Sequence, residues 1–116
     1  MRNKILVVDD KQEVVDFILE ILMLNEYEYY SANDGDEALA IFQAKDDIAL
    51  VITDINMPRM NGIDLTRQIK NSEVPVPVIV MTGYGDKEMI GKKIGDEFIS
   101  KPFDVFVLLE LIKKYV

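Results

Sequence analysis

The chain has 116 residues, which suits one domain with one core, and 49% of them are hydrophobic. Its formal net charge of −8 is the wrong sign for a nucleic-acid surface, which needs clustered Lys and Arg. It has no Cys and no His, so disulfides, thiolate sites, imidazole catalysis and the usual zinc ligands are excluded.

Residues 4–9 read as a buried strand. Residues 12–24 carry Val14, Val15, Ile18, Leu19, Ile21 and Leu22 at helical spacing. A second strand, rich in Tyr, covers 27–32. Asn33-Asp34-Gly35 is a turn signal, and 37–44 is a helix. Residues 49–54 form a third strand. Pro58 and Asn61-Gly62 then break the chain before a helix at about 63–71. Val74-Pro75-Val76-Pro77 leads into a fourth strand at 78–82. A short helix fits 86–93, a fifth strand 97–100 and a last helix 104–115. The N-terminus lacks the long apolar region of a signal peptide, and no apolar run approaches the roughly 18 residues of a membrane span. We read a cytoplasmic protein without a membrane anchor.

Strand–helix alternation of this kind implies an α/β fold with a parallel sheet covered on both faces. Crossovers should be right-handed, and the doubly wound strand order 2-1-3-4-5 is expected, with the site at the carboxyl ends of the strands. Repeats, linkers and a second domain are not visible, so residues 1–116 read as one domain.

Four of the apolar runs end on polar residues suited to phosphoryl chemistry. The first ends on Asp9-Asp10, the third on Asp54, the fourth on Thr82 and the fifth on Lys101-Pro102. Each has a plainer role when taken singly. Asp9 and Asp10 suit a solvated loop that caps the first helix, Asp54 a turn before Pro58, Thr82 a strand-end hydroxyl and Lys101 a snorkelling surface lysine. In a parallel sheet, however, all of them share one edge. Three close carboxylates repel and raise one another's pKa values, which makes sense around a hard cation. All-oxygen ligation with retained waters fits Mg²⁺. A phosphate-cradling loop is disfavoured, because Asp9-Asp10-Lys11-Gln12-Glu13 has neither glycine nor the right potential. Lys101-Pro102-Phe103 suits a fixed turn with a cis Lys101–Pro102 bond, aiming the ammonium at the carboxylates.

These residues fall in a set of ordered motifs: Ile5-Leu6-Val7-Val8-Asp9-Asp10, Asp34-Gly35-Asp36-Glu37-Ala38-Leu39, Thr53-Asp54-Ile55-Asn56-Met57-Pro58, Met60-Asn61-Gly62, Val78-Ile79-Val80-Met81-Thr82 and Lys101-Pro102-Phe103. Across essentially its whole length the chain resembles receiver domains of two-component response regulators, the flavodoxin-like or CheY-like fold. The resemblance implies that Asp54 is a phosphoacceptor. It implies Mg²⁺ ligation by Asp10, Asp54 and the backbone carbonyl of Asn56, with Asp9 holding a metal-bound water or a ligand. Thr82 and Lys101 would contact phosphoryl oxygens. Phe98 would be the switch aromatic that turns inward when Thr82 moves, and Asn56 and Tyr84 would tune hydrolysis. The implied donor is a histidine kinase or phosphotransfer protein, with Val14, Val15, Ile18 and Phe103-Asp104 as docking candidates, most of which also suit the core. The implied output is control of an unknown downstream protein, without turnover of a separate small-molecule substrate.

The chain departs from that pattern chiefly in its fourth and last helices. Lys101 follows Thr82 by 19 residues, short of the family's usual spacing by about three residues, just under one helical turn. A shortened fourth helix is therefore expected, with Gly91 inside it. The last helix is apolar nearly all round, with Phe106, Val107 and Leu111 where polar residues are usual. Either these residues fill a rearranged core, or they form a patch for a homodimer or a partner on the face of the fourth and last helices. The second is our expectation. Arg59 after Pro58, and Asn61 before Gly62, read as mild changes.

Three other readings compete. A haloacid-dehalogenase-type enzyme would carry its nucleophile on the first strand, with an acid–base Asp two residues on, where Asn56 follows Asp54 here. An FMN carrier would place the cofactor phosphate against an acidic loop. A pseudo-receiver would bind partners without phosphate, and the altered fourth helix is its only support.

Overall fold

In the computed structural model, which describes residues 2–83 and 95–116, two-sided burial of the strands sets the architecture. The chain runs β1 (Lys4–Val8), α1 (Gln12–Leu24), β2 (Glu28–Ala32), α2 (Gly35–Ala44), β3 (Ile48–Asp54), α3 (Gly62–Lys70), β4 (Val78–Thr82), β5 (Glu97–Ser100) and a C-terminal helix, α4 (Val105–Tyr115). The five strands form one parallel sheet in the order β2-β1-β3-β4-β5, as expected. The expected helix over 86–93 and Tyr84 lie outside the described residues.

Period-two alternation sends successive residues of each central strand to opposite faces. Leu6, Val8, Val51, Val78 and Val80 pack under α2 and α3, with Ala38, Leu65 and Ile69. Ile5, Val7, Leu50, Ile52, Ile79 and Met81 face α1 and α4, with Ile18, Leu22, Leu108 and Ile112. Both faces are therefore apolar, which is why these strands read as unbroken apolar runs. Lys4 alone of β1 reaches solvent, and it pairs with Glu28 and Asp47 at the opposite end of the sheet from Asp9.

The helix boundaries follow from capping. Helix α2 begins at Gly35 rather than residue 37, because Asp34 Oδ1 accepts the Glu37 N–H at 2.8 Å and pulls the turn signal into the first helical turn. Asn61 does the same for α3, accepting from Ile63 and Asp64. Asp104 accepts from Phe106 and starts α4. The acidic pair Asp9-Asp10 does not cap α1; Lys11 stands at that position, without a side-chain cap bond.

On α4, Leu108 and Ile112 are buried, whereas Phe106 and Val107 are 78% and 49% exposed. Of the three residues expected outside the core, Leu111 is half-buried and packs against it, while Phe106 and Val107 are not absorbed among the described residues.

Two glycines fix the approach of α2 and α3 to the carboxyl edge. A Cβ on Gly62 would stand 1.9 Å from the backbone oxygen of Asp54, and one on Gly35 would stand 2.2 Å from that of Met60. The constraint at Gly62 is close backbone approach, so no rotamer relieves it. Gly62→Ala is expected to cost about 1–3 kcal/mol or more, the usual range for forced overpacking. Urea unfolding measures it, and a midpoint equal to wild type would mean that α3 moves freely off the end of β3.

Candidate phosphoacceptor site

The ends of β1, β3, β4 and the turn after β5 bring the expected residues together. Asp9, Asp10 and Asp54 each offer one carboxylate oxygen, and these oxygens lie within 4.8 Å of one another. Asp9 is wholly buried and Asp54 nearly so, whereas Asp10 is exposed. Lys101 Nζ donates to Asp9 Oδ2 at 2.7 Å and lies 3.2 Å from Asp54 Oδ1. Its turn has the expected cis Lys101–Pro102 bond. The Lys11 N–H donates to Asp9 Oδ1 at 3.0 Å, so both oxygens of this buried carboxylate are satisfied.

Burial pushes the Asp54 carboxyl above its ordinary range, and the neighbouring Asp9 charge adds to the rise. Lys101 works in the opposite direction. Burial also works to lower the Lys101 ammonium, but its hydrogen bond to Asp9 and the charge of Asp54 outweigh that and hold it above the usual lysine range. Lys101 is therefore charged at neutral pH. The site is a carboxylate cluster with one fixed cation at its inner side and an exposed carboxylate, Asp10, at its mouth. Its donors are all oxygen, which fits a hard divalent cation and not a thiolate- or imidazole-seeking metal.

Thr82 is buried at the end of β4, and its hydroxyl donates to the Ile99 carbonyl at 3.3 Å. Phe98, paired in register with Val80, is half-buried against the core under α2 and α3. Thr82 and the carboxylate cluster thus share the sheet edge, while Phe98 lies behind it on one face.

An open groove of about 410 Å³ adjoins the site, lined by Glu13, Val14, Phe17, Lys101, Pro102 and Phe103. The Phe17 and Phe103 rings sit 5.9 Å apart across it. Of the docking residues expected from sequence, Val14 and Phe103 line the groove. Val15 and Ile18 do not; both are buried core of α1. Phe17, 47% exposed, takes their place. Its signal was its position one turn from Val14, on the polar side of the helical pattern.

Sequence reasoning missed Arg59. Among the described residues, only Glu26 and Arg59 are non-glycine residues at positive φ. Glu26 follows the end of α1, where that conformation is usual. Arg59, at φ 65°, sits mid-loop between Pro58 and Met60, where a left-handed L-residue costs roughly 1–2 kcal/mol. Its guanidinium lies 3.4 Å from Asp34 Oδ2. Nothing in the residue type foretells this, because Arg has no preference for the left-handed region.

The response regulator receiver domain family matches residues 5–113. The chain is 34% identical over 119 residues to sporulation initiation phosphotransferase F of Bacillus subtilis, covering 100% of this chain and 95% of that protein. It is 34% identical over 105 residues to the transcriptional regulatory protein CpxR of Klebsiella pneumoniae, covering 88% of this chain but only 44% of that regulator. A response regulator receiver protein from Pseudomonas putida superposes with a TM-score of 0.90 at 32% identity, over 98% of each chain. The chain belongs to the response regulator receiver domains, the signalling modules of two-component systems.

Proposed function

We propose that this receiver domain accepts a phosphoryl group on Asp54 in a Mg²⁺-dependent reaction and passes the signal on by a shift in conformation. The observation that supports it best is the contact set of one buried strand-end carboxylate. Asp54 meets Asp9 and Asp10 on one side and the Lys101 ammonium on the other.

Asp10, Asp54 and the Asn56 carbonyl would hold the cation, with Asp9 reaching it through water. When bound, Mg²⁺ supplies charge neutralisation at the phosphoryl oxygens. The chain's own residues do the rest. An Asp54 carboxylate oxygen attacks phosphorus in line, and the bond from phosphorus to the donor's imidazole nitrogen breaks. The imidazole keeps the electron pair and is reprotonated from solvent. Lys101 pairs with one phosphoryl oxygen, and Thr82 gives up Ile99 to donate to another. Positioning and charge neutralisation carry such transfers. Phe98 turns toward the space that Thr82 leaves, and Asn56 tunes the lifetime of the acyl phosphate, as does Tyr84, which lies outside the described residues.

The donor in this reading is a histidine kinase or phosphotransfer protein, seated over the groove between α1 and the Lys101–Phe103 turn. We assign the exposed Phe106 and Val107 of α4 to protein contacts, with a second copy of this chain as the first occupant to test by light scattering. A strict monomer at high concentration removes the homodimer. The unit that does this is a single receiver domain over residues 1–116.

Incubation with acetyl phosphate is expected to add one phosphoryl mass to the intact protein with Mg²⁺ and none without it. Asp54→Ala should gain nothing. A folded protein that gains no mass would favour a pseudo-receiver that binds partners without phosphate.

The same cluster links metal to stability. In EDTA, Asp54→Asn relieves a desolvated carboxylate and its repulsion with Asp9 and leaves Lys101 paired to Asp9. It should stabilise the fold by at most about 1 kcal/mol after solvent screening. In millimolar Mg²⁺ the wild type should gain more than the variant by mass action, closing or reversing the gap. Urea midpoints in the two buffers measure this. An equal Mg²⁺ response in both proteins would remove Asp54 from the metal set.

A further inference from the structure

The loop after Asp54 carries a strained residue that the reaction described above does not use. Arg59 holds a positive φ away from any helix end, and its side chain reaches Asp34 at the start of α2. Strained backbone of this kind persists where the surroundings over-determine it, and it concentrates at functional sites. The surroundings here are specific. Asp34 uses one carboxylate oxygen to cap α2 and the other for Arg59. Its side chain is only 15% exposed, so the acceptor is already held in place. Next to it, Gly35 admits the Met60 carbonyl closer than any Cβ would allow. On the other side of Asp34, Asn33 donates to the Asp9 carbonyl at 3.2 Å and to Gln12 Oε1 at 3.0 Å. The β2–α2 loop thus grips the loop after β1 with Asn33 and the loop after β3 with Asp34.

We propose that the Arg59–Asp34 pair is a clasp that holds the β3–α3 loop in its metal-binding shape, making Arg59 a positioning residue for the cation. The idea rests on the receiver reading of the site, in which Asn56 lies on this loop and gives its carbonyl to the metal. The two loops that Asn33 and Asp34 tie down are those that carry Asp9-Asp10 and follow Asp54. Their separation fixes the span of the oxygen cluster. Without the clasp, the loop must be ordered at the moment of binding, and that cost appears as weaker affinity. The chemistry at Asp54 is untouched once the metal is held.

The telling variant is Arg59→Gly. It removes the guanidinium and is at ease at positive φ, so its urea midpoint should not fall below wild type. Calorimetric titration with Mg²⁺ alone should show affinity lowered about 2- to 5-fold, the scale of an exposed ion pair. The rate of acetyl phosphate labelling should show the same shift in half-saturating Mg²⁺, with the rate at saturation within about twofold of wild type. Asp34→Asn keeps an oxygen for the Glu37 N–H and loses the charge, and it should shift Mg²⁺ affinity the same way. The double variant should be no weaker than Arg59→Gly, because the two act through one contact.

Mg²⁺ affinity equal to wild type in Arg59→Gly would overturn the clasp. So would a fall in the saturating rate with unchanged affinity, which would place Arg59 on the phosphoryl donor instead. Additive losses in the double variant would overturn it as well. A wild type that binds no Mg²⁺ and takes no label would defeat the phosphoacceptor reading itself, so the two failures are told apart.

Discussion

The site depends on one ammonium. Asp9 is wholly buried and Asp54 nearly so, and two carboxylates so placed would repel each other in a poorly solvated edge. Lys101 touches both, at 2.7 Å and 3.2 Å. Stranding one member of a buried ion pair costs about 3–5 kcal/mol, more than most single contacts in a domain contribute. The fold can therefore keep its acidic edge assembled only because β5 and its turn deliver a cation there. Thr82 is held to the same strand, through the Ile99 carbonyl. The turn after β5 is thus a structural necessity for the site as well as a part of it.

That delivery depends in turn on the sheet. Parallel order β2-β1-β3-β4-β5 sets β1 and β3 side by side at its centre, so Asp9, Asp10 and Asp54 fall together at one end. Lys101 comes from the far edge and must reach across β4. Its backbone is anchored beside the end of β4, where the Lys101 N–H donates to the Thr82 carbonyl at 2.7 Å.

Most of this was legible in the sequence, for a physical reason. Strands buried on both faces are mostly apolar, so where Val8, Ile52 or Met81 gives way to Asp9, Thr53-Asp54 or Thr82 the change marks the strand's carboxyl end. The fold follows from the alternation and the site from those ends. What was not legible depended on geometry that residue types do not carry. Asp34 looked like part of a turn, yet its carboxylate starts α2 two residues early. Val15 and Ile18 suited docking and the core alike, and α1 turns them into the core and leaves Phe17 outside. Arg59 looked incidental, because only the backbone shows it in the left-handed region.

The two glycines and the two strand-end carboxylates explain each other. Asp54 is the last residue of β3, paired in register with Met81, and its carbonyl accepts from the Thr53 hydroxyl at 2.9 Å. Gly62 brings α3 against that carbonyl closely enough to exclude any side chain, and the Gly62 N–H donates to the Ile55 carbonyl at 2.8 Å. The loop 55–61 is therefore a closed excursion whose two ends are fixed on the same strand terminus. A loop fixed at both ends has few shapes open to it, and contacts at its tip choose among them. Met60 against Gly35 and Arg59 against Asp34 are the tip contacts. The shape of the loop that follows Asp54 is consequently set by the start of α2, which supplies no residue to the carboxylate cluster.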